Sequence, residues 1–217
     1  MNVNLIKDAM DLLAEFENAH TPGSISCIEN FKRWIAVNYS NQNTHNEPSW
    51  EGKENGRTPE SVINTLIVHM NRYAKSYSKS AILGSDFSTQ EDFIYLINLK
   101  AFGEMTKMEL IKKNVHEKPA GIQTINRLIA QGWINQTDSE TDKRSKVLTI
   151  SSSGIEALEK QMDKIRKATE IVTGDLTHNE KMELIRLLNK LNDFHQPIYD
   201  KNIAPEYLLN EVLKEKR

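Results

Sequence analysis

Along most of this chain the hydrophobic positions recur every three to four residues, and polar runs separate the periodic stretches. Residues 3–19 set Leu5, Met10, Leu12, Leu13 and Phe16 at helical spacing. Thr21-Pro22-Gly23 breaks that helix, and Ser24 caps a second with Ile25, Ile28, Phe31, Trp34 and Ile35 along one side. Residues 40–57 are polar and rich in Asn and Gly, which reads as a linker, with Trp50 set to anchor it to a surface. Thr58 and Pro59 then open a long helix whose apolar side is Ile63, Leu66, Ile67, Met70, Tyr73, Ala74, Tyr77 and Ala81. Capping boxes at Ser88/Glu91, Thr106/Glu109, Ser153/Glu156 and Thr177/Glu180 predict helices at about 88–102, 106–114, 153–173 and 177–194. Each box pairs a hydroxyl with a glutamate three residues on and satisfies two orphan N–H groups. A further helix, about 118–131, starts at Pro119 and ends before Gly132. Pro205 starts a last short one carrying Tyr207, Leu208, Leu209, Val212 and Leu213. Only two segments favour strands, Trp133–Gln136 and Val147–Ile150; the polar run between them makes a β-hairpin with a long tip.

Composition narrows the function classes. At 217 residues, with 38% hydrophobic and 27% charged, the chain is expected to be an ordinary soluble protein with one sizeable core or two small ones. A net charge of −2 gives no global attraction to nucleic acid, so any basic surface must be local. Cys27 is the single cysteine, which excludes an intrachain disulfide and a Cys-rich metal site; flanked by Ile25 and Ile28, it reads as an inert, half-buried thiol. The six histidines show no ligand spacing, so neither a metal nor a cofactor is expected. The N-terminus has no continuous apolar run of signal type and no segment is long and apolar enough for a bilayer, which makes cytoplasmic residence without membrane contact the expectation. No nucleophile–base set, Gly-rich phosphate loop or carboxylate pair stands out, so catalysis is not expected.

The stretch Thr106–Ser151 carries the chemistry. Two short helices followed by a hairpin suit helix-turn-helix recognition, in which 106–114 braces and 118–131 reads base edges. Ile122, Ile125, Leu128 and Ile129 recur as the core stripe of the second helix, and Lys118, Ala120, Gly121, Gln123, Thr124 and Arg127 lie off it. Small residues near its start favour close approach to a groove floor, and Gln123 and Thr124 carry base- or phosphate-bonding groups. From Thr106 to Val147 there are eight basic and five acidic residues, leaving +3 in a chain that is negative overall.

Three motifs in order, NRLIAQGWI (Asn126–Ile134), DKR (Asp142–Arg144) and VLTISSSG (Val147–Gly154), resemble the MarR family of winged-helix regulators, over roughly residues 58–200. That family shows a D-R-L-x-x-x-G helix end, a D-x-R wing and a strand running into L-T-x-x-G. The resemblance implies a mainly α fold: a winged helix-turn-helix with a two-stranded β-hairpin wing, plus a helical dimerisation domain. It implies that Arg144 enters the minor groove, that Asp142 orients it, and that the helix containing Lys118, Pro119, Ala120, Gly121, Gln123, Thr124 and Arg127 enters the major groove. Lys112, Lys113, Lys143 and Lys146 are expected to add phosphate affinity. The family often forms an effector cleft at the position of His69, Arg72 and Tyr73, which suggests a small anionic or aromatic ligand. One departure is the Lys118-Pro119-Ala120-Gly121 start, where the family often carries Ser or Thr.

The expected partition is an N-terminal helical extension and linker (1–57), a first dimerisation helix (58–87), a winged helix-turn-helix (88–151), C-terminal dimerisation helices (152–200) and a short final helix (201–217). The expected function is a homodimeric repressor that binds a pseudo-palindromic site on double-stranded DNA, half-sites about one turn apart, released by the effector. The rival is a winged-helix protein-interaction module without sequence-specific DNA binding.

Overall fold

The helix and strand signals can be followed in a computed structural model, which describes residues 3–19, 28–39, 48–138 and 146–215. The chain divides into two units, Met1–Val62 and Ile63–Arg217. In the first, α1 (Val3–Asn18) and α2 (Ile28–Tyr39) meet through aromatic rings: Phe16, 2% exposed, lies 5.2 Å from Phe31 and 5.7 Å from Trp34, centroid to centroid. The expected apolar stripe of α1 is only partly used, because Leu5, Met10 and Leu13 remain exposed. The cap expected at Ser24 falls outside the described residues, as does Cys27. The described part of the expected linker, residues 48–57, folds into a local turn. A 3-10 turn at Lys53–Asn55 is flanked by Gly52 and Gly56 in left-handed conformation, and Trp50 Nε1 donates to the Arg57 carbonyl at 2.8 Å. Trp50 thus anchors a local turn.

After α3 (Pro59–Ala81), the second unit continues with α4 (Gln90–Phe102), β1 (Met105–Thr106), α5 (Lys107–Lys113), α6 (Lys118–Ala130), β2 (Ile134–Asp138), β3 (Lys146–Ile150), α7 (Ser152–Thr173), α8 (His178–Asp200) and α9 (Pro205–Glu215). α4 sits at the centre of its core. Phe93, Tyr95, Leu96 and Leu99 are buried with Leu110 and Ile111 of α5, Ile125 and Leu128 of α6, Leu148 of β3, and Leu158 and Ile165 of α7. A helix surrounded in this way needs apolar residues on more than one side, which is why α4 lacks the one-sided pattern of a surface helix. The sheet has order β1-β3-β2, all antiparallel, with Met105 opposite Leu148 and Ile134 opposite Ile150. The expectation of two strands is therefore corrected to three. β1 has two residues, too few for any alternation to show in sequence, and exists only because β3 offers it an edge.

Two capping boxes stand as expected: Glu109 and Glu180 each accept the N–H of their threonine at 2.7 Å, and these hydrogen bonds hold both carboxyls below the ordinary range. The other two shift. α4 is capped by Thr89 with Asp92, one residue beyond Ser88/Glu91. α7 is capped by Ser151, whose Oγ accepts from Gly154 N at 3.0 Å, while Ser153 Oγ donates to the Gly132 carbonyl at 2.8 Å. The cause is close approach: a Cβ on Gly154 would stand 2.3 Å from the Trp133 carbonyl oxygen, so α7 starts hard against the strand entry and its hydroxyls are drawn to Gly132. α8 also runs past the expected end at 194, through Pro197, to Asp200.

The α5–α6 turn holds Val115 at φ 50°, a left-handed conformation that costs a β-branched residue energy. Val115 is more than half exposed and contributes little packing. Val115→Gly is expected to raise unfolding stability by about 1 kcal/mol, the relief of strain exceeding the added unfolded-state entropy. Thermal unfolding of the two chains checks this; an unchanged or lower midpoint would mean the turn is not strained.

Candidate nucleic-acid interface

The helix-turn-helix is built by close contact of α5 and α6. Gly121 is buried at the crossing, where an added Cβ would lie 2.4 Å from Ile111 Cγ1 and 3.0 Å from the Tyr95 hydroxyl. Gly121 is therefore a packing residue and does not line a groove-facing surface, contrary to the reading from its off-stripe position. Thr124 is likewise buried, and its hydroxyl donates to the Ala120 carbonyl one turn back at 3.2 Å. Off-stripe positions at Gly121 and Thr124 turned inward because α6 is covered on two sides, by α5 and by α4, so its buried arc is wider than the four-residue stripe indicates.

Arg127 carries the largest correction. Its Nε donates to Asp92 Oδ1 at 2.9 Å, its Nη2 reaches the same oxygen, and Nη2 also meets Thr89 Oγ1 at 3.3 Å. Asp92 has no exposed surface, and its Oδ2 accepts the backbone N–H groups of Ser88 at 2.7 Å and Thr89 at 3.0 Å. The one carboxylate thus ends α4 and holds α6 through the only arginine in it. Sequence reasoning missed Asp92 because it lies among the polar residues of an expected helix start.

What remains outward on α6 is Lys118, Pro119, Ala120, Gln123, Asn126 and Ala130. Asn126 was not among the expected DNA residues; its place one turn beyond Gln123 was the available signal. Leading into α6, the turn is tied at His116. Its Nδ1 lies 2.9 Å from the Tyr95 hydroxyl, its Nε2 3.4 Å from Glu91 Oε2, and its carbonyl accepts from the Tyr199 hydroxyl at 2.6 Å. Burial, with Glu91 and Tyr199 adding to it, pushes the Tyr95 hydroxyl well up, so it stays protonated. α8 therefore ends on the recognition turn, reinforced by Asp200 against Lys112 at 3.2 Å.

The wing leaves the core at Ile134, after which Asn135–Asp138 are exposed. At its base Lys146 pairs with Asp138 across the strands, so this lysine is engaged within the hairpin. Lys113 lies over the Phe102 ring at 3.7 Å. Asp142, Lys143 and Arg144 fall outside the described residues. On α3, His69 and Tyr73 stack edge to face at 6.4 Å and, like Arg72, are exposed. A cleft of about 320 Å³ opens further along, lined by Lys75, Lys79, Ile82 and Ser88–Glu91, and none of the three expected effector residues lines it.

Residues 85–145, a span that includes α4, β1, α5, α6 and β2, match the model of the MarR family. Over that segment the chain is similar to the MarR family. The HTH-type transcriptional repressor NicR of Pseudomonas putida is 25% identical over 105 residues, 48% of this chain and 66% of NicR, so the match spans about two thirds of that protein. Two solved MarR-type folds agree. A mutant MarR from E. coli complexed with operator DNA has a TM-score of 0.56 at 22% identity, covering 66% of this chain and 99% of that one. BpsR of Bordetella bronchiseptica, whose DNA binding is regulated by 6-hydroxynicotinic acid, has a TM-score of 0.57 at 18% identity, covering 68% and 99%. Among the described residues, no helix is long and apolar enough to cross a membrane.

Arg127→Ala leaves Asp92 buried without its counter-charge, and is expected to cost about 3–5 kcal/mol of stability. Urea unfolding measures it. A variant as stable as the parent that lost only DNA affinity would return Arg127 to the DNA-facing set.

Proposed function

We propose that this protein is a homodimeric transcriptional regulator, a repressor of MarR type, that binds a pseudo-palindromic operator in double-stranded DNA. The observation that carries the reading is the outward face of α6, Lys118 to Asn126, beside a projecting wing hairpin, in the segment that matches the family. In this reading α6 enters the major groove, its N-terminus and Lys118 taking phosphate oxygens. The wing, with Arg144 supported by Asp142, lies along the minor groove. Lys143 adds phosphate affinity, as does Lys112 on exchanging Asp200 for the backbone.

A second copy is the partner for α3 and α8. Ile63, Leu66, Met70 and Tyr73 on α3, with Met182, Ile185, Leu188 and Leu191 on α8, form apolar rows left in water in the single chain. Continuous exposed apolar surface of that kind marks an association face. Residues 58–87 and 152–200 then serve dimerisation, 88–151 DNA binding, and 1–57 and 201–217 are additions to that frame. A small anionic or aromatic effector releases the DNA. His69, Arg72 and Tyr73 supply rings and a cation on α3, and Lys75 and Lys79 supply cations in the neighbouring cleft. The effector control of BpsR supports this choice of chemistry.

Selection of bound sequences from random duplexes at fixed salt tests the reading. An inverted repeat with half-sites about 10 bp apart is expected. Arg144→Ala should weaken that site, more so with AT-rich flanks, while leaving a folded dimer. Leu188→Asp should yield a monomer by light scattering and lose operator affinity. Absence of any enriched sequence would favour the protein-interaction module instead.

A further inference from the structure

The composition of the outward face of α6 bears on which sequence it reads. Its only arginine, Arg127, is turned away and held by Asp92 and Thr89. Lys118 stands at the first residue of the helix, where the free amides and the helix dipole already draw a phosphate. The side chains left to meet base edges are the amides of Gln123 and Asn126, both exposed, with no bonding partner among the described residues. Pro119 and Ala120, also exposed, put no long side chain between the helix and a groove floor.

Arginine and lysine read guanine through O6 and N7; asparagine and glutamine read adenine by donating to N7 and accepting from N6. Three residues of helix rise roughly 4.5 Å, near the roughly 3.4 Å between base pairs, so amides three apart reach neighbouring pairs. Asn126 also stands where the family motif has aspartate. A carboxylate only accepts, which suits cytosine N4 and is repelled by phosphate; the amide adds the donor that adenine N7 requires.

We propose, on the reading of α6 as the recognition helix, that Gln123 and Asn126 form a two-amide adenine reader. The core of each half-site is then a pair of adjacent A·T base pairs, with no guanine contact from this helix. The carboxylate that pairs with Arg127 is thereby a determinant of base preference, since it removes the side chain that would otherwise select guanine.

The test uses the full chain and the duplex selected from the random pool, with each base pair of one half-site changed in turn. The selected half-site should contain two adjacent A·T pairs whose replacement by G·C lowers affinity about ten-fold or more each. Gln123→Ala should abolish the preference at one of the two positions and Asn126→Ala at the other. Lys118→Ala should weaken every duplex alike. Both amides are exposed, so unchanged circular dichroism and melting will verify that the variants fold. An inverted repeat with G·C at the positions sensitive to Gln123 and Asn126, or amide variants with unaltered base preferences, would overturn the adenine reader while leaving the DNA-binding function intact. Failure to enrich any sequence would remove both.

Discussion

A carboxylate with no exposed surface has to be matched by charge and hydrogen bonds, or its burial costs several kcal/mol. Asp92 is matched on both oxygens. Oδ2 takes two backbone N–H groups at the start of α4 and Oδ1 takes the guanidinium from α6. This is the joint on which the reading head depends. The apolar core alone would let α6 slide or rotate over α4 and α5, because packing between aliphatic side chains is non-directional. The planar guanidinium on a fixed carboxylate gives a direction as well as an energy. With Arg127 held there, Gln123 one turn earlier and Asn126 next to it point outward in a fixed order.

The second constraint is steric. α6 can lie against α5 only because Gly121 has no side chain, and Ile111 and the Tyr95 hydroxyl fill the space a Cβ would take. Tyr95 connects this crossing to the turn through His116, and Tyr199 at the end of α8 donates to the same residue's carbonyl. Packing, turn and α8 therefore form one connected set. A displacement of the end of α8 bears on the backbone that sets where α6 begins, without passing through the hydrophobic core. In a regulator whose two heads must fit one spacing of DNA, such a contact ties head position to the helices that would pair two copies.

Much of this architecture was legible in the residues. Helix existence followed from periodicity, and two caps, Thr106/Glu109 and Thr177/Glu180, were located to the residue because each box is a local chemical pairing. The winged module was readable from its motifs, since Gly132, the hairpin strands and the run into α7 each have a backbone reason for their residue type. What the residues did not reveal depends on contacts distant in sequence. Asp92 displaced Glu91 as the capping acid because Arg127, thirty-five positions on, needed a buried partner. Ser151 displaced Ser153 because Gly154 pressed α7 against Trp133. β1 exists only as the neighbour of β3.

The same logic separates the outward residues of α6 from those that the pattern alone placed with them. A helix wheel sorts positions by angle from one apolar stripe, and by that measure Gly121, Thr124 and Arg127 all fell outside. Covering α6 from two directions widens its buried arc, and polar residues enter that arc when they bring their own satisfaction: Thr124 by bonding the Ala120 carbonyl, Arg127 by pairing with Asp92. A threonine whose hydroxyl is spent on its own helix and an arginine neutralised by a buried acid have little left to offer a base. Residues with unspent hydrogen-bonding groups on an exposed face do, and on α6 these are Gln123 and Asn126. The polar groups α6 can offer a partner are therefore set as much by which ones the fold consumes as by which it displays.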